Sequence, residues 1–180
     1  MPSIRTLSPM RLGALSLLLA LGACTTGAPL PPQAPAAPRV APEQRLAAAI
    51  AAATGSDDRE LAVQPLRDPE VQDLREAAAD AVRARDYAAA AESLNQALLI
   101  VADDPAVLQE RAEVALLQGE DQRAETLATR AFELGSKVGP LCRRHWAVVE
   151  QARLARGLTQ DAQSAHVQIA ACTVAGFERM

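Results

Sequence analysis

The sequence repeats itself with a period of 34 residues, and this feature limits the possible folds more than any other. Residues 74–98 resemble residues 108–132 when the two stretches are aligned at that offset. The matching pairs are Leu74 with Leu108, Ala78 with Ala112, Ala81 with Ala115, Asp86 with Glu120, Ala90 with Ala124, Ala97 with Ala131 and Leu98 with Phe132. A fixed period of this length predicts a stack of similar supersecondary units.

Each unit is expected to be helical. No run of alternating β-branched residues after Glu43 is long enough for a strand, and the abundant Ala and Arg favour helices. The fold is therefore predicted to be all-α. Asp68 and Asp104 precede prolines and are expected to be N-caps. The predicted helices cover residues 43–53, 69–84, 87–102, 105–118, 121–134, 143–156 and 159–174.

The turns between these helices resemble those of the tetratricopeptide repeat. Residues 85–91 read RDYAAAA and residues 118–124 read QGEDQRA, a turn followed by a small residue. A third copy with four extra connecting residues places Trp146, Gly157, Ala162 and Ile169 on family positions. The resemblance implies a short solenoid of about three helical hairpins over residues 69–180. Residues 43–68 would add an N-terminal capping helix over the exposed end of the stack and a loop. An Ala-rich helical bundle is the alternative.

The first 23 residues have the build of an export signal. Arg5 and Arg11 form a positive end, residues 12–21 an apolar core, and small residues follow. The core is shorter than the roughly 20 apolar residues that a membrane-spanning helix needs. We therefore expect a cleaved signal peptide at residues 1–23.

Residues 21–24, Leu-Gly-Ala-Cys, resemble the lipobox of bacterial lipoproteins. The resemblance implies cleavage before Cys24 and lipidation of its thiol and new amino group, with acyl chains such as palmitate as the anchor to a membrane. Lipoproteins retained at the inner membrane often have Asp after the cysteine, whereas this chain has Thr25. An outer-membrane anchor facing the periplasm is therefore favoured. Ordinary secretion and an uncleaved N-terminal anchor are the alternatives.

The segment that follows is a linker. Residues 24–42 contain six prolines and one charged residue, a composition typical of an extended spacer. At roughly 3.1 Å per residue it would hold the folded part up to about 55 Å from the membrane.

Composition and motifs argue against several functions. The formal net charge is −4 and aromatic residues make up 2% of the chain, so neither nucleic acid nor a stacked ligand is expected. Motifs for a nucleophile or a phosphate loop do not occur, so we expect no catalysis and no cofactor. Cys142, His145, His166 and Cys172 lack the usual spacing of a metal site, and His166 is expected inside the second helix of the third hairpin.

Two cysteines remain once Cys24 is assigned to lipid, in a compartment that oxidises thiols. The third repeat would place Cys142 at the start of its first helix and Cys172 at the end of its second. Those ends are neighbours in an antiparallel hairpin, so we predict a disulfide between them. Two buried free thiols are the alternative.

The family resemblance also implies where a partner binds, because first helices line the concave face of such stacks. Arg75, Arg83 and Arg144 would engage carboxylates, unless they are simply solvated arginines. Leu116 and Leu117 would offer an apolar patch. The expected partner-binding residues are Gln72, Arg75, Arg83, Gln109, Glu113, Leu116, Arg144 and Gln151.

These expectations describe a non-catalytic adaptor at the periplasmic face of the outer membrane, which binds a protein partner during cell-envelope assembly. An auxiliary module that binds peptidoglycan or another envelope ligand is the alternative. The stack would be short, so its end after Val174 is also open to pairing with a second copy.

Overall fold

The computed structural model describes residues 41–55 and 68–173. The predicted signal peptide, Cys24, nearly all of the linker and Val174 lie outside the described residues. The described part contains seven helices and no strand, which confirms the all-α prediction. The helices are α1 (Pro42–Thr54), α2 (Pro69–Arg83), α3 (Tyr87–Ile100), α4 (Pro105–Leu117), α5 (Asp121–Leu134), α6 (Pro140–Ala155) and α7 (Thr159–Ala171). None of these helices is long and apolar enough to cross a membrane.

The helix starts follow the sequence. The Asp68 carboxylate accepts a hydrogen bond from the amide of Glu70, and Asp104 accepts from the amides of Ala106 and Val107, so both predicted N-caps are confirmed. Each aspartate satisfies amides that the first helical turn leaves unpaired. α6 begins three residues earlier than predicted, because Pro140 suits the first turn of a helix.

The turns that close the three hairpins share one backbone feature. Arg85, Gly119 and Gly157 all have positive φ, at 62°, 76° and 75°. The first two positions are one period apart, and the third follows with the four-residue insertion. Glycine adopts this conformation without steric cost, whereas Arg85 has a Cβ and must accept some strain there.

Helices adjacent in sequence pack as antiparallel pairs: α2 with α3, α4 with α5, and α6 with α7. The pairs also contact one another through α3 and α4, through α5 and α6, and through α4 and α6. More than half of the buried apolar residues in the described part are alanines, among them Ala90 and Ala124, which are fully buried. Small side chains let helix backbones approach closely, so a larger residue at these positions would separate the helices.

α1 differs from the prediction in its position. It was expected to cover the exposed end of the stack, but its main partner is α6, with a smaller contact to α4. Leu46 of α1 belongs to an apolar cluster with Ala115 of α4 and Val148 of α6, and Ile50 packs against that cluster. A helix with so few large apolar residues does not show from its sequence which neighbour it contacts.

Candidate functional site

The candidate site is a groove of about 350 Å³ along α2 and α4, with contributions from α3 and α6. Apolar side chains form one part of its lining, namely Ala78, Ala79, Val82, Leu94, Val114 and Leu117. Polar and charged side chains form the other part, namely Gln72, Arg75, Glu76, Glu110, Glu113 and Arg144. This combination of apolar and charged lining can hold an apolar side chain while polar groups at its edge bind main-chain or charged groups.

Two ion pairs cross the groove, and α4 supplies the carboxylate of both. Arg75 of α2 contacts Glu110 through two of its nitrogens, with Nε to Oε2 at 2.8 Å, and donates from Nη1 to Gln72 at 3.0 Å. Arg144 of α6 donates from Nη2 to Glu113 Oε2 at 2.7 Å. Glu110 and Glu113 are three residues apart, so they share one face of α4.

These ion pairs occupy two of the arginines that were predicted from the sequence to bind a partner, Arg75 and Arg144. Burial lowers the pKa of Arg144, but the hydrogen bonds and charge of Glu113, with the charge of Glu110, outweigh burial and raise this pKa. Arg75 and Arg144 are therefore already bound to carboxylates of the same chain. A partner carboxylate must compete with Glu110 and Glu113, whereas a partner's N–H group can bind the outer face of these glutamates.

The groove contains half of the predicted partner-binding residues: Gln72, Arg75, Glu113 and Arg144. Arg83 is exposed outside the lining and pairs with Asp80, one turn earlier in α2. Gln151 is half-buried on α6 and is also outside the lining. Leu117 lines the groove as expected, whereas Leu116 packs against the apolar cluster that includes α1.

Gln109 was predicted to face the groove, but it is fully buried and cannot contact a partner in this conformation. Its Nε2 donates to Glu113 Oε1 at 2.9 Å, and its Oε1 lies 2.6 Å from Nδ1 of the buried His145. Because Oε1 can only accept, the network assigns the imidazole proton to Nδ1. Gln109 thus supports the groove from beneath by holding Glu113 in place.

His145 is the most perturbed titratable group near the groove. It is fully buried, and its Nε2 has no hydrogen-bond partner. Burial, together with the positive charges of Arg144 and Lys137, lowers the pKa of His145 to about 4. The imidazole is therefore neutral at pH 7, and no water-accessible general base is formed here.

The remaining histidine and the cysteines have separate roles. Cys142 and Cys172 are joined in a disulfide, with their Cα atoms 5.7 Å apart, as predicted. The prediction that His166 lies on the interior side of the second helix of the third hairpin is wrong, because its side chain is 61% exposed and contacts Glu150 at 3.1 Å. In the described part of the chain, no group of three or more His, Cys, Asp or Glu residues is placed to hold a metal ion.

α1 lies beside the groove and is held at both ends. Near its start, Glu43 accepts a hydrogen bond from the hydroxyl of Tyr87 and contacts Arg85 Nε at 3.3 Å. The hydrogen bond lowers the pKa of Glu43 and raises the pKa of Tyr87. At its end, the carbonyl of Thr54 accepts a hydrogen bond from Arg143 at 2.9 Å. α1 lies next to the groove, because the apolar cluster that it joins also contacts the groove residue Leu117.

Sequence reasoning missed Glu110, which sits in the middle of the groove lining. The sequence signal for Glu110 was its position three residues before Glu113, because residues at that spacing share one face of a helix. Comparison with protein-family models, with curated proteins and with solved structures finds no match to this chain.

Proposed function

We propose that this protein is a non-catalytic adaptor of the cell envelope that binds a protein partner in the groove along α2 and α4. In this proposal the three helix pairs are tetratricopeptide-like repeats. The chain is anchored through lipid on Cys24 to the periplasmic face of the outer membrane. The regular positive φ at Arg85, Gly119 and Gly157 supports the repeats, because these positions follow the period found in the sequence.

The observation that carries the proposal is the lining of the groove. An apolar surface that includes Ala79, Val82 and Leu117 is bordered by the ion pairs of α4. Such a surface suits an extended or helical protein segment, whose apolar side chains enter the groove while its polar groups meet the charged border. A sugar ligand would be expected to stack on aromatic side chains, and none of the groove residues is aromatic.

The anchor and the disulfide fit the same proposal. A disulfide between Cys142 and Cys172 is stable where thiols are oxidised, as in the periplasm. Lipid on Cys24 would confine the groove to a membrane surface and raise the local concentration of partners bound to the same membrane.

Filling the groove tests this function. Ala79 is an exposed residue of the lining, so Ala79→Trp should block the groove without disturbing a buried contact. We expect at least a tenfold loss of the protein partner that is recovered with the full chain after crosslinking in intact cells. The matched control is Ala170→Trp on the exposed side of α7, which should recover the partner normally.

Two results would count against the adaptor. One is equal recovery of the partner with Ala79→Trp and Ala170→Trp, because the groove would then have no part in binding. The other is recovery of glycan without a protein in comparable amount, which would favour a module that binds peptidoglycan or another envelope ligand.

A further inference from the structure

α1 buries few of its own side chains against the rest of the protein. Leu46 is the one residue of this helix that is buried, and Ile50 is half-buried. The start of α1 lacks a side-chain cap, because Ala41 occupies the N-cap position. A helix of 13 residues is marginal on its own in water, so α1 depends on its contacts with α4 and α6 to stay helical.

α1 packs against an apolar cluster that is built largely by other helices. The apolar cluster that Leu46 joins is otherwise built by the other helices, with Ala112, Ala115, Ala124, Ala128, Val148, Val149, Ala152 and Ala165 buried and Leu116 at its edge. This surface meets the groove at Leu117, which packs against the cluster and also lines the groove. Departure of α1 would therefore extend the groove along α6.

Side chains of α1 that contact other helices follow a simple spacing. Glu43 binds Tyr87 and contacts Arg85, Leu46 enters the cluster three residues later, and Ile50 follows after four more. Residues at spacings of three, four and seven lie on one face of a helix, which is how an amphipathic helix occupies an apolar groove. The exposed residues Ala47, Ala48, Ala51 and Ala52 complete the outer face of α1.

We propose that the surface of α4 and α6 under α1 is a binding site for an amphipathic helix of the protein partner, and that α1 is an internal ligand which this helix displaces. The partner helix carries an acidic residue followed by large apolar residues three and seven positions later, because those are the groups that the site holds in α1. This inference rests on the proposed function in one respect, namely that the natural ligand is a protein.

Competition decides how tightly such a helix binds. Twelve residues connect Gly55 to Asp68, so α1 is always present at high local concentration. An external helix with only the contacts of α1 should therefore bind the intact chain weakly. A partner whose helix has a broader apolar face makes additional contacts with the groove and so displaces α1.

A peptide of residues 41–55 with a fluorescent label tests the site directly. The receptor is the full chain carrying Leu46→Asp and Ile50→Asp, which should detach α1 while leaving α2 to α7 folded. We expect the peptide to bind this variant at least tenfold more tightly than it binds the unaltered chain. A peptide with the same two aspartates should bind neither. Adding Tyr87→Phe to the variant should weaken binding about fivefold, because the hydroxyl that holds Glu43 is gone.

The result that overturns the proposal is a folded variant, shown by circular dichroism and by an intact disulfide, that does not bind the peptide more tightly than the unaltered chain. A dimer of the unaltered chain that forms by exchange of α1 between two copies would also overturn it, because the occupant would then be a second copy. Light scattering measures this directly. If the peptide fails while Ala79→Trp still abolishes partner recovery, this inference is wrong and the proposed function stands.

Hydrogen exchange on the unaltered full chain provides an independent measurement. Displacement requires that α1 open without unfolding of the helices beneath it. We expect the amides of α1 to exchange at least a hundredfold faster than the slowest amides of α4 and α6. Equal protection of α1, α4 and α6 would show that α1 leaves only when the whole protein unfolds, and would contradict displacement.

Discussion

Replacing both Cys142 and Cys172 with alanine is expected to lower the free energy of unfolding by about 3 to 4 kcal/mol, since the bond closes a loop of 30 residues. Both side chains are fully or almost fully buried, so the disulfide also contributes to the packing of α6 against α7. In addition, the amide of Gly139 donates to the carbonyl of Cys172 at 2.8 Å, and loss of the bond would loosen this contact. Urea unfolding of the full chain, followed by circular dichroism, measures the change.

The unaltered chain in reducing buffer is the matched control for this double variant. It should lose a similar amount of stability, because reduction removes the same constraint while keeping both sulfur atoms. If the double variant and the reduced chain unfolded at the same urea concentration as the oxidised chain, the disulfide would not stabilise the third hairpin.

Acid is expected to destabilise the protein through His145. Its pKa is lowered to about 4 in the folded state from 6.5, so the unfolded state binds a proton more readily between these values. Stability should therefore fall as the pH drops from about 6.5 to about 4, by about 3 kcal/mol in total for this group. The proton would go to Nε2, which has no partner in the described structure.

Two variants isolate this contribution. His145→Asn places an amide donor where Nδ1 now contacts Gln109, and it should remove most of the loss of stability between pH 6.5 and pH 4. His166→Gln is the matched control, because it replaces the exposed histidine, and the loss of stability that His145 causes should persist in this variant. If His145→Asn and the unaltered chain lost the same stability over this range, His145 would not be the group that responds to acid.

Local signals in the sequence predicted much of the fold. Asp68 and Asp104, each followed by proline, fixed where two helices begin, because capping depends on residues that are adjacent in the chain. The disulfide was predictable for a similar reason, since the ends of an antiparallel hairpin are neighbours whichever other helices surround it. The face of a helix on which a residue lies was harder to predict. Gln109 and Glu110 are consecutive, and one residue is a rotation of about 100°, enough to exchange a buried residue for one that lines the groove.

Contacts between distant segments explain what the sequence did not show. α1 reaches Tyr87 and Arg143, which are 44 and 89 residues from their α1 partners, and no local pattern encodes such pairings. The ion pair of Arg75 with Glu110 joins α2 and α4, whose distance depends on how the described helices pack together. The family resemblance predicted that His166 lies on the interior side of its helix. However, α7 is the last described helix, and that side is open to solvent.

A photoreactive residue in the groove tests most directly whether the groove binds a protein. p-Benzoylphenylalanine at Ala79, in the full chain in intact cells, should form a crosslink to one protein upon illumination. The same group at the exposed Ala170 should not form that crosslink. A crosslinked product at position 79 that contains one defined protein, and that is missing when the photoreactive residue is at position 170, is the predicted result. The same products at both positions, or glycan alone at position 79, would contradict it.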